Sequence, residues 1–329
     1  MPVAVKAKPR VYTLEPLHSQ ALELAREKFD MVLPDDEGFH EWREKAEGLL
    51  ARNAMVTPED VEVLKAHKIR YIAKQGVGVD NFDLPSLKAA EIPLMNTPGI
   101  NATAVAEMAL TLLMDVARSA TTVDRRIRRG DKVNKLMGWE GQLIRGRTLG
   151  IIGGGNIGLA FAEMFNAAFR GSILVYDPVI AADQKAKWTA VIPSEQVKFV
   201  TLDDLLGKSD IVSVHCPLNN HTRDIISTRE LGLMKSTAII LNTARGGVIN
   251  EPALEKVLRE GKIYGAGLDA FVDEPPSLEK YGGFCELDNV VLTPHFGATP
   301  AAVQQETCLS MVEHLVEAFE GKPLRDRVV

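Results

Sequence analysis

Three charged residues stand just past buried apolar runs, where a side chain can meet a ligand. Arg245 follows Ala238-Ile239-Ile240-Leu241-Asn242, Glu274 follows Gly265-Ala266-Gly267-Leu268-Asp269, and His295 follows Val290-Val291-Leu292. In an open α/β sheet, ligands bind outside the carboxyl ends of the strands, so these positions are where chemistry is expected. Arg245 lies in the turn Thr243-Ala244-Arg245-Gly246-Gly247, and its guanidinium could clamp a carboxylate bidentately while staying charged at any working pH. His295, between Pro294 and Gly297, could pass a proton near neutral pH, and Glu274 could orient and charge that imidazole. Singly, each has a plain alternative: a surface ion pair, a structural histidine, a solvated Asp273-Glu274-Pro275 turn. Together they supply what hydride transfer at a carbinol carbon requires, namely a proton acceptor, a group that orients it and an anion clamp.

A second constellation lies earlier in the chain. Thr148-Leu149-Gly150-Ile151-Ile152 reads as a strand buried on both faces, and Gly153-Gly154-Gly155-Asn156-Ile157-Gly158 follows it at once. Leu159 to Phe169 then has the apolar content of a helix that Gly171 breaks, Ile173-Leu174-Val175-Tyr176 makes the next strand, and Asp177 ends it. In a G-x-G-x-x-G turn the first glycine (Gly153) allows the tight turn, the second (Gly155) lets backbone approach a pyrophosphate, and the third (Gly158) lets helix and strand pack closely. The helix N-terminus offers N–H groups and a positive dipole end to phosphates. Asp177 lies 19 residues after Gly158, near the spacing of about 20 for the acid that binds an adenosine ribose. A carboxylate there repels a 2′-phosphate, and Pro178-Val179-Ile180 supply no Arg to bind one, so the expected cofactor is NAD rather than NADP. The alternative is a glycine turn that serves packing alone.

Composition is consistent with a soluble enzyme of this kind. At 329 residues the chain is long for one core, so two domains are expected. A net charge of −6 argues against a nucleic-acid surface, which needs a basic face. Cys216, Cys285 and Cys308 are too far apart for a C-x-x-C pair and suggest neither a disulfide framework nor a metal site. Residues 1–10 carry Lys6, Lys8 and Arg10 without an apolar signal region, and no run is long enough for a membrane span. The expected location is cytoplasmic.

The elements that position these residues alternate along the chain, which implies parallel sheets. Strands are expected at Val11–Leu14, Asn53–Val56, Ile69–Ala73 and, at an edge because of Pro93, Ile92–Met95. Ser19 is a plausible cap for a helix to Phe29, and Thr57-Pro58 starts another. Asn96-Thr97-Pro98-Gly99-Ile100-Asn101 resembles a hinge, with Asn101 placed to cap a long helix from Ala102 to about Ala120 whose Val105, Met108, Ala109, Leu112 and Leu113 share a face. Asp124 to Lys135 is a basic segment, read as a solvated helix or arm or as a phosphate- or partner-binding patch. Beyond Asp177, Ile211-Val212-Ser213-Val214-His215 is a strand leading to Cys216-Pro217, and Pro300 to Gly321 is one long amphipathic helix.

At this point the chain resembles the D-isomer-specific 2-hydroxyacid dehydrogenases, the group that includes phosphoglycerate, glyoxylate/hydroxypyruvate and D-lactate dehydrogenases. The resemblance rests on Gly76-Val77-Gly78-Val79-Asp80-Asn81, Asn96 to Glu107, the glycine loop with Asp177, Asn242 to Gly247, and Asp269…Glu274-Pro275 with Pro294 to Gly297, all in the family's order. It implies two doubly wound parallel-sheet α/β domains. A Rossmann NAD-binding domain, residues 102–298, is inserted into a flavodoxin-like substrate domain made of residues 1–101 and 299–329. The implied activity is interconversion of a D-2-hydroxy acid and its 2-oxo acid by hydride transfer, with Arg245 binding the substrate carboxylate, His295 as acid/base and Glu274 as its partner. Backbone N–H groups at Val77 and Gly78 would hold the carboxylate, and Asn101 would border the substrate.

The implied cofactor contacts begin with Gly153, Gly155, Asn156, Ile157 and Gly158 at the phosphates and Asp177 with Pro178 at the ribose. Pro217 and Thr243 would line the cleft, Asp269 would lie beside the nicotinamide, and His215, Cys216, Ala244, His295, Gly297 and Val105 would also contact the cofactor. A homodimer through residues 102–147 is implied, no metal is expected, and Glu274 argues against a formate dehydrogenase, where the imidazole's partner is typically Gln. The interval from Gly158 to Asp177 is one residue longer than in many members. Relatives of this fold that sense NADH as transcriptional corepressors keep the same three side chains and form the alternative reading.

Overall fold

The computed structural model describes residues 7–134 and 141–329, so Lys135 at the end of the basic segment and residues 1–6 lie outside the described residues. The chain opens with β1 (Arg10–Thr13), α1 (Ser19–Lys28), β2 (Asp30–Val32), α2 (Trp42–Lys45), β3 (Gly48–Ala51), α3 (Pro58–Ala66), β4 (Tyr71–Lys74), α4 (Leu84–Ala89) and β5 (Leu94–Met95). Two helices follow, α5 (Ala102–Arg118) and α6 (Ala120–Arg128). Then come β6 (Leu149–Ile152), α7 (Asn156–Phe169), β7 (Ile173–Tyr176), α8 (Ala182–Val191), β8 (Val197–Phe199), α9 (Leu202–Lys208) and β9 (Ile211–Val214). The remainder is α10 (Thr228–Leu233), β10 (Ile239–Asn242), α11 (Glu251–Arg259), β11 (Gly265–Leu268), α12 (Leu278–Cys285), β12 (Val290–Leu292) and α13 (Ala301–Phe319).

These elements fall into two compact units, residues 1–101 with 299–329, and residues 102–298. The first holds a five-stranded sheet in the order β2-β1-β3-β4-β5, the flavodoxin-like doubly wound arrangement. Its neighbouring strands pair in parallel. Tyr12, Leu49 and Ile72 pack on one face with Leu64 and Leu87, while Leu50, Ala73 and Met95 meet Ala21 and Ala25 of α1 and Met311, Val312 and Leu315 of α13 on the other. The last helix is therefore part of the first unit's core. The second unit holds a seven-stranded sheet ordered β12-β11-β10-β9-β6-β7-β8, again with parallel neighbours. Strand order reverses between β6 and β9, which marks the crevice where such folds bind ligands. Strands β6, β9, β10 and β11 are buried throughout, which is why they read as unbroken apolar runs.

Several expectations need correction. The strand placed at Asn53–Val56 lies earlier, at Gly48–Ala51, between β1 and β4. Residues 52–54 turn instead, because Glu15 accepts the N–H groups of Arg52 at 2.9 Å and Ala54 at 2.6 Å, and that of Asn53 between them. Val56 keeps only an isolated bridge to Phe82. The strand read at Ile69–Ala73 runs from Tyr71 to Lys74. Ser19 is the first helical residue rather than the cap, and His18 before it makes no side-chain cap bond. Asn101 does not cap α5 through its side-chain oxygen, which has no hydrogen-bond partner. The long helix stops at Arg118, and Ser119 with φ 51° turns the chain into α6. Helix α7 ends at Arg170 in the left-handed region, not at Gly171. Gly171 is needed for closeness instead: a Cβ there would lie 2.1 Å from the Arg147 carbonyl oxygen. Thr57 behaves as expected, forming a capping box with Asp60 and Pro58 in the first turn of α3.

Candidate active site

Within the second unit, the carboxyl ends of β10, β11 and β12 carry Arg245, Glu274 and His295. Asn242 ends β10 and folds the next turn: its Oδ1 accepts the Ala244 N–H at 3.1 Å and its amide donates to the Arg245 carbonyl at 2.9 Å. That turn lies flat on the segment after β11 because Gly246 has no side chain; a Cβ would sit 1.9 Å from the Phe271 carbonyl carbon. Arg245 donates from Nη1 to the Ala244 carbonyl at 2.8 Å, which fixes the start of the guanidinium.

His295 has φ 58°, a conformation that non-glycine residues rarely adopt and that must be held by its surroundings. Asp269 holds it. Its buried carboxylate accepts the Thr293 hydroxyl at 2.5 Å and the N–H groups of Phe296 and Gly297, both at 2.8 Å, so it grips the loop on either side of His295. Burial keeps the Asp269 carboxyl above its ordinary value in spite of these three donors and the nearby imidazole. The sequence suggested Asp269 only as a cofactor neighbour, and its loop-building role depends on hydrogen bonds across 24 to 28 residues of chain.

The His295 imidazole meets Glu274 through Nδ1, 3.0 Å and 2.9 Å from the two carboxylate oxygens. Glu274 also accepts the Phe271 N–H at 3.1 Å. Burial alone would raise the Glu274 carboxyl. The bonds from His295 and Phe271 and the charges of His295 and Arg245 outweigh it and hold the group below its ordinary value. A carboxylate that stays ionised fixes the proton on Nδ1 and leaves Nε2 to exchange protons. The charge of Arg245 reaches Glu274, so all three side chains belong to one electrostatic group.

At the strand-order reversal the glycine loop is built for close approach. Gly153 has φ 100°, and a Cβ there would strike the His215 carbonyl carbon and the Cys216 nitrogen at 2.7 Å. A Cβ on Gly158 would lie 2.4 Å from the Gly153 oxygen and 2.9 Å from Ile151, so α7 rests directly on β6. Gly155 differs: a Cβ there would meet nothing within 4 Å, which leaves open space in front of the loop at the N-terminus of α7. Asp177 receives the Gly154 N–H at 2.9 Å and the Val179 N–H at 3.0 Å, beside an open hollow lined by Tyr176, Pro178, Val200 and Asp204. The Thr243 hydroxyl is buried without a partner. Open backbone at Gly155, an acid on the next strand and an orphaned hydroxyl at the end of β10 fit a dinucleotide.

His215 and Cys216 present other chemistry. The His215 imidazole is buried, its Nε2 2.8 Å from the Ser213 hydroxyl and its Nδ1 without a partner, and burial pushes its pKa down to about 3. Burial likewise pushes the Cys216 thiol up to about 11, with the Asp177 charge acting in the same direction. Both side chains are neutral at working pH. Val105 packs toward Gly297, where a Cβ would come within 3.3 Å of it.

In the first unit, the loop after β4 is braced by the segment after β5. Gly76 has φ 93°, its N–H reaches the Thr97 hydroxyl at 2.7 Å, and the Asn96 amide donates to the Val77 carbonyl at 2.8 Å. The N–H groups of Val77 and Gly78 have no hydrogen-bond partner among the described residues. Among the described residues no group of three His, Cys, Asp or Glu could hold a metal ion, and no helix is long and apolar enough to cross a membrane.

Comparison with known proteins gives a consistent result. Residues 110–297 match the family described as "D-isomer specific 2-hydroxyacid dehydrogenase, NAD binding domain". The chain is 37% identical to a hydroxypyruvate reductase of Thermotoga maritima over 314 residues, covering 94% of this chain and 98% of that protein. It is 36% identical to a glyoxylate reductase of Korarchaeum cryptofilum, covering 96% and 94% of the two chains. Among solved structures, a glyoxylate reductase from Paecilomyes thermophila superposes with a TM-score of 0.85 at 27% identity, over 98% of this chain and 99% of that one. The His295–Glu274 contact, the Arg245 charge felt at Glu274 and the glycine loop at the strand reversal therefore lie on a chain that belongs to the D-isomer-specific 2-hydroxyacid dehydrogenase family, as an oxidoreductase of 2-hydroxy and 2-oxo acids that uses a nicotinamide dinucleotide.

Proposed function

We propose that His295 is the acid/base of this dehydrogenase, Glu274 its orienting partner and Arg245 the group that binds the substrate carboxylate. The observation that carries the reading is the contact of His295 Nδ1 with both Glu274 oxygens. With Nδ1–H engaged there, Nε2 gives its proton to the oxygen of a 2-oxo acid during reduction and takes it back during oxidation. The Arg245 guanidinium binds the carboxylate and draws the carbonyl dipole toward its charge. When bound, reduced nicotinamide supplies the hydride.

The residues that would hold the cofactor are the loop Gly153, Gly155, Asn156, Ile157 and Gly158 for the pyrophosphate and Asp177 with Pro178 for the adenosine ribose, which favours NAD over NADP. Thr243, Ala244, Pro217, the backbone of His215 and Cys216, Val105, Asp269 and Gly297 complete the set. In the first unit we assign substrate contact to the N–H groups of Val77 and Gly78 and to Asn101. The names of the hydroxypyruvate and glyoxylate reductases to which the chain is similar favour a short 2-oxo acid.

The test is NADH oxidation with glyoxylate, hydroxypyruvate, phosphohydroxypyruvate, pyruvate, phenylpyruvate and 2-oxoisocaproate, run beside His295→Ala and Arg245→Ala. Each substitution should lower kcat/KM by roughly 10²- to 10⁴-fold while NADH binding, followed by fluorescence, changes by less than about twofold. A variant that keeps wild-type turnover removes that residue from its role. A homodimer through residues 102–147 is also proposed, supported by Ile127 and Leu143, exposed at 57% and 74%. Light scattering should then report twice the 36.0 kDa chain mass, and a monomeric mass would end that idea.

A further inference from the structure

Glu274 sits at the end of a short segment, Phe271 to Glu274, whose first three N–H groups are taken by side chains. Phe271 donates to Glu274 at 3.1 Å, Val272 to Glu251 Oε1 at 2.8 Å, and Asp273 to the Tyr281 hydroxyl at 2.9 Å. The Tyr281 hydroxyl in turn donates to Glu251 Oε2 at 3.1 Å, closing the network. Glu251 opens α11, just beyond the Arg245 turn, and Tyr281 lies in α12, its ring packed on Phe271 with centroids 4.8 Å apart. Two helices thus converge on the backbone that aims Glu274 at His295.

We propose that Glu251 and Tyr281 are positioning residues for the acid/base pair, holding the Phe271–Glu274 backbone so that the Glu274 carboxylate keeps both oxygens on His295 Nδ1. The inference rests on the roles given above to Glu274 and His295. Neither residue touches the reacting atoms. Their effect passes through the angle at which Glu274 presents its carboxylate, and so through the proton affinity of His295. The charged groups facing the pair are Arg245, Glu251 and Asp269, and Asp273, itself paired to Lys280, acts on Glu251. Burial pushes the Tyr281 hydroxyl up to about 12, so it is neutral at working pH. Tyr281→Phe therefore removes no charge of its own and keeps the ring on Phe271, and it also takes from Glu251 a donor that lowers that carboxyl, which is why the Glu274→Gln background is needed to isolate positioning.

The experiment is an NMR titration of the His295 imidazole, assigned with His295→Ala, in the wild type and in Tyr281→Phe, beside the pH profile of reductive kcat/KM. Loosening Glu274 weakens its hold on the protonated imidazole, so the titration read by NMR should move to lower pH in the variant. The alkaline limb of the profile should move down by the same amount, and kcat should fall about three- to tenfold with little change in KM. In a Glu274→Gln background the same substitution should have no further effect on kcat, because its route is gone. An unmoved His295 titration, or an effect on kcat that persists fully without Glu274, would overturn the proposal, even where Tm falls. If Tyr281→Phe does not fold, Glu251→Gln enters the same cycle: loss of its charge acts on His295 with or without Glu274, whereas loss of positioning vanishes with Glu274. Full turnover in His295→Ala would refute the acid/base reading separately, and the titration would still decide whether Tyr281 sets the imidazole's environment.

Discussion

At Asp177 one carboxylate has two tasks. It receives the N–H groups of Gly154 and Val179, which shapes the turn around the glycine loop, and in the proposed cofactor site it would present negative charge where a 2′-phosphate would have to sit. Like-charge juxtaposition of this kind is a specificity device. Asp177→Ala should raise the ratio of kcat/KM with NADPH to that with NADH at least about tenfold, a change of roughly 1.4 kcal/mol. An unchanged ratio would take Asp177 out of cofactor choice. The three side chains proposed for the site were legible as residue types, because an arginine, a glutamate and a histidine each follow a buried apolar run. The residues that hold them were not. Asn242 reads as the end of a strand and Asp269 as a cofactor neighbour, yet one folds the Arg245 turn and the other locks His295 at positive φ. Such roles require knowing which backbone N–H groups lie within reach, and the order of residues does not contain that.

Elements built from apolar periodicity and glycine spacing were read more fully than those set by long-range contacts. The β6–α7–β7 unit matches its reading because each glycine answers to a local constraint, and those constraints differ within one loop. Gly158→Ala would drive a Cβ to 2.4 Å from the Gly153 oxygen, and overpacking of this kind costs roughly 1 to 3 kcal/mol. It should lower Tm by several degrees. Gly155→Ala meets nothing within 4 Å, so Tm should hardly move while NADH affinity falls at least about tenfold as the methyl enters the pyrophosphate's space. Equal losses of stability in both variants would contradict this division of labour. The first unit was read less well. Residues 53–56 have strand-like composition, but the Glu15 carboxylate takes the N–H groups of residues 52–54, and β3 forms earlier.

At the scale of the whole molecule, two sheets divide a chain whose last helix packs with its first. Leu315 and Met311 share a core with Val11 and Ala21, so the first unit is incomplete until the C-terminal segment has been made. Global stability also carries a titration. His215 is held neutral, with its pKa pushed from 6.5 to about 3 by burial. The unfolded chain therefore takes up a proton that the folded protein refuses. The contribution is fully present above about pH 6.5 and is lost as pH falls toward 3. His215→Gln should flatten the dependence of unfolding free energy on pH across that window by up to about 1.4 kcal/mol per pH unit. Parallel wild-type and variant curves would mean that the imidazole titrates alike in both states.

The order of residues alone determined the alternation of strands and helices, the dinucleotide loop with its acid, and the presence of an arginine, a glutamate and a histidine at strand ends. These depend on periodicity, steric demand at glycine and spacing along a single chain, and all are local. The tertiary structure decided the rest: which strand neighbours which, that α13 completes the first sheet, and that Glu274 meets His295 through both oxygens. It also decided that Glu251 and Tyr281 reach back to the backbone of Val272 and Asp273, just before Glu274. Contacts of that kind join residues far apart in sequence, and they exist only when packing of the apolar faces has brought the strands into register and excluded water between them.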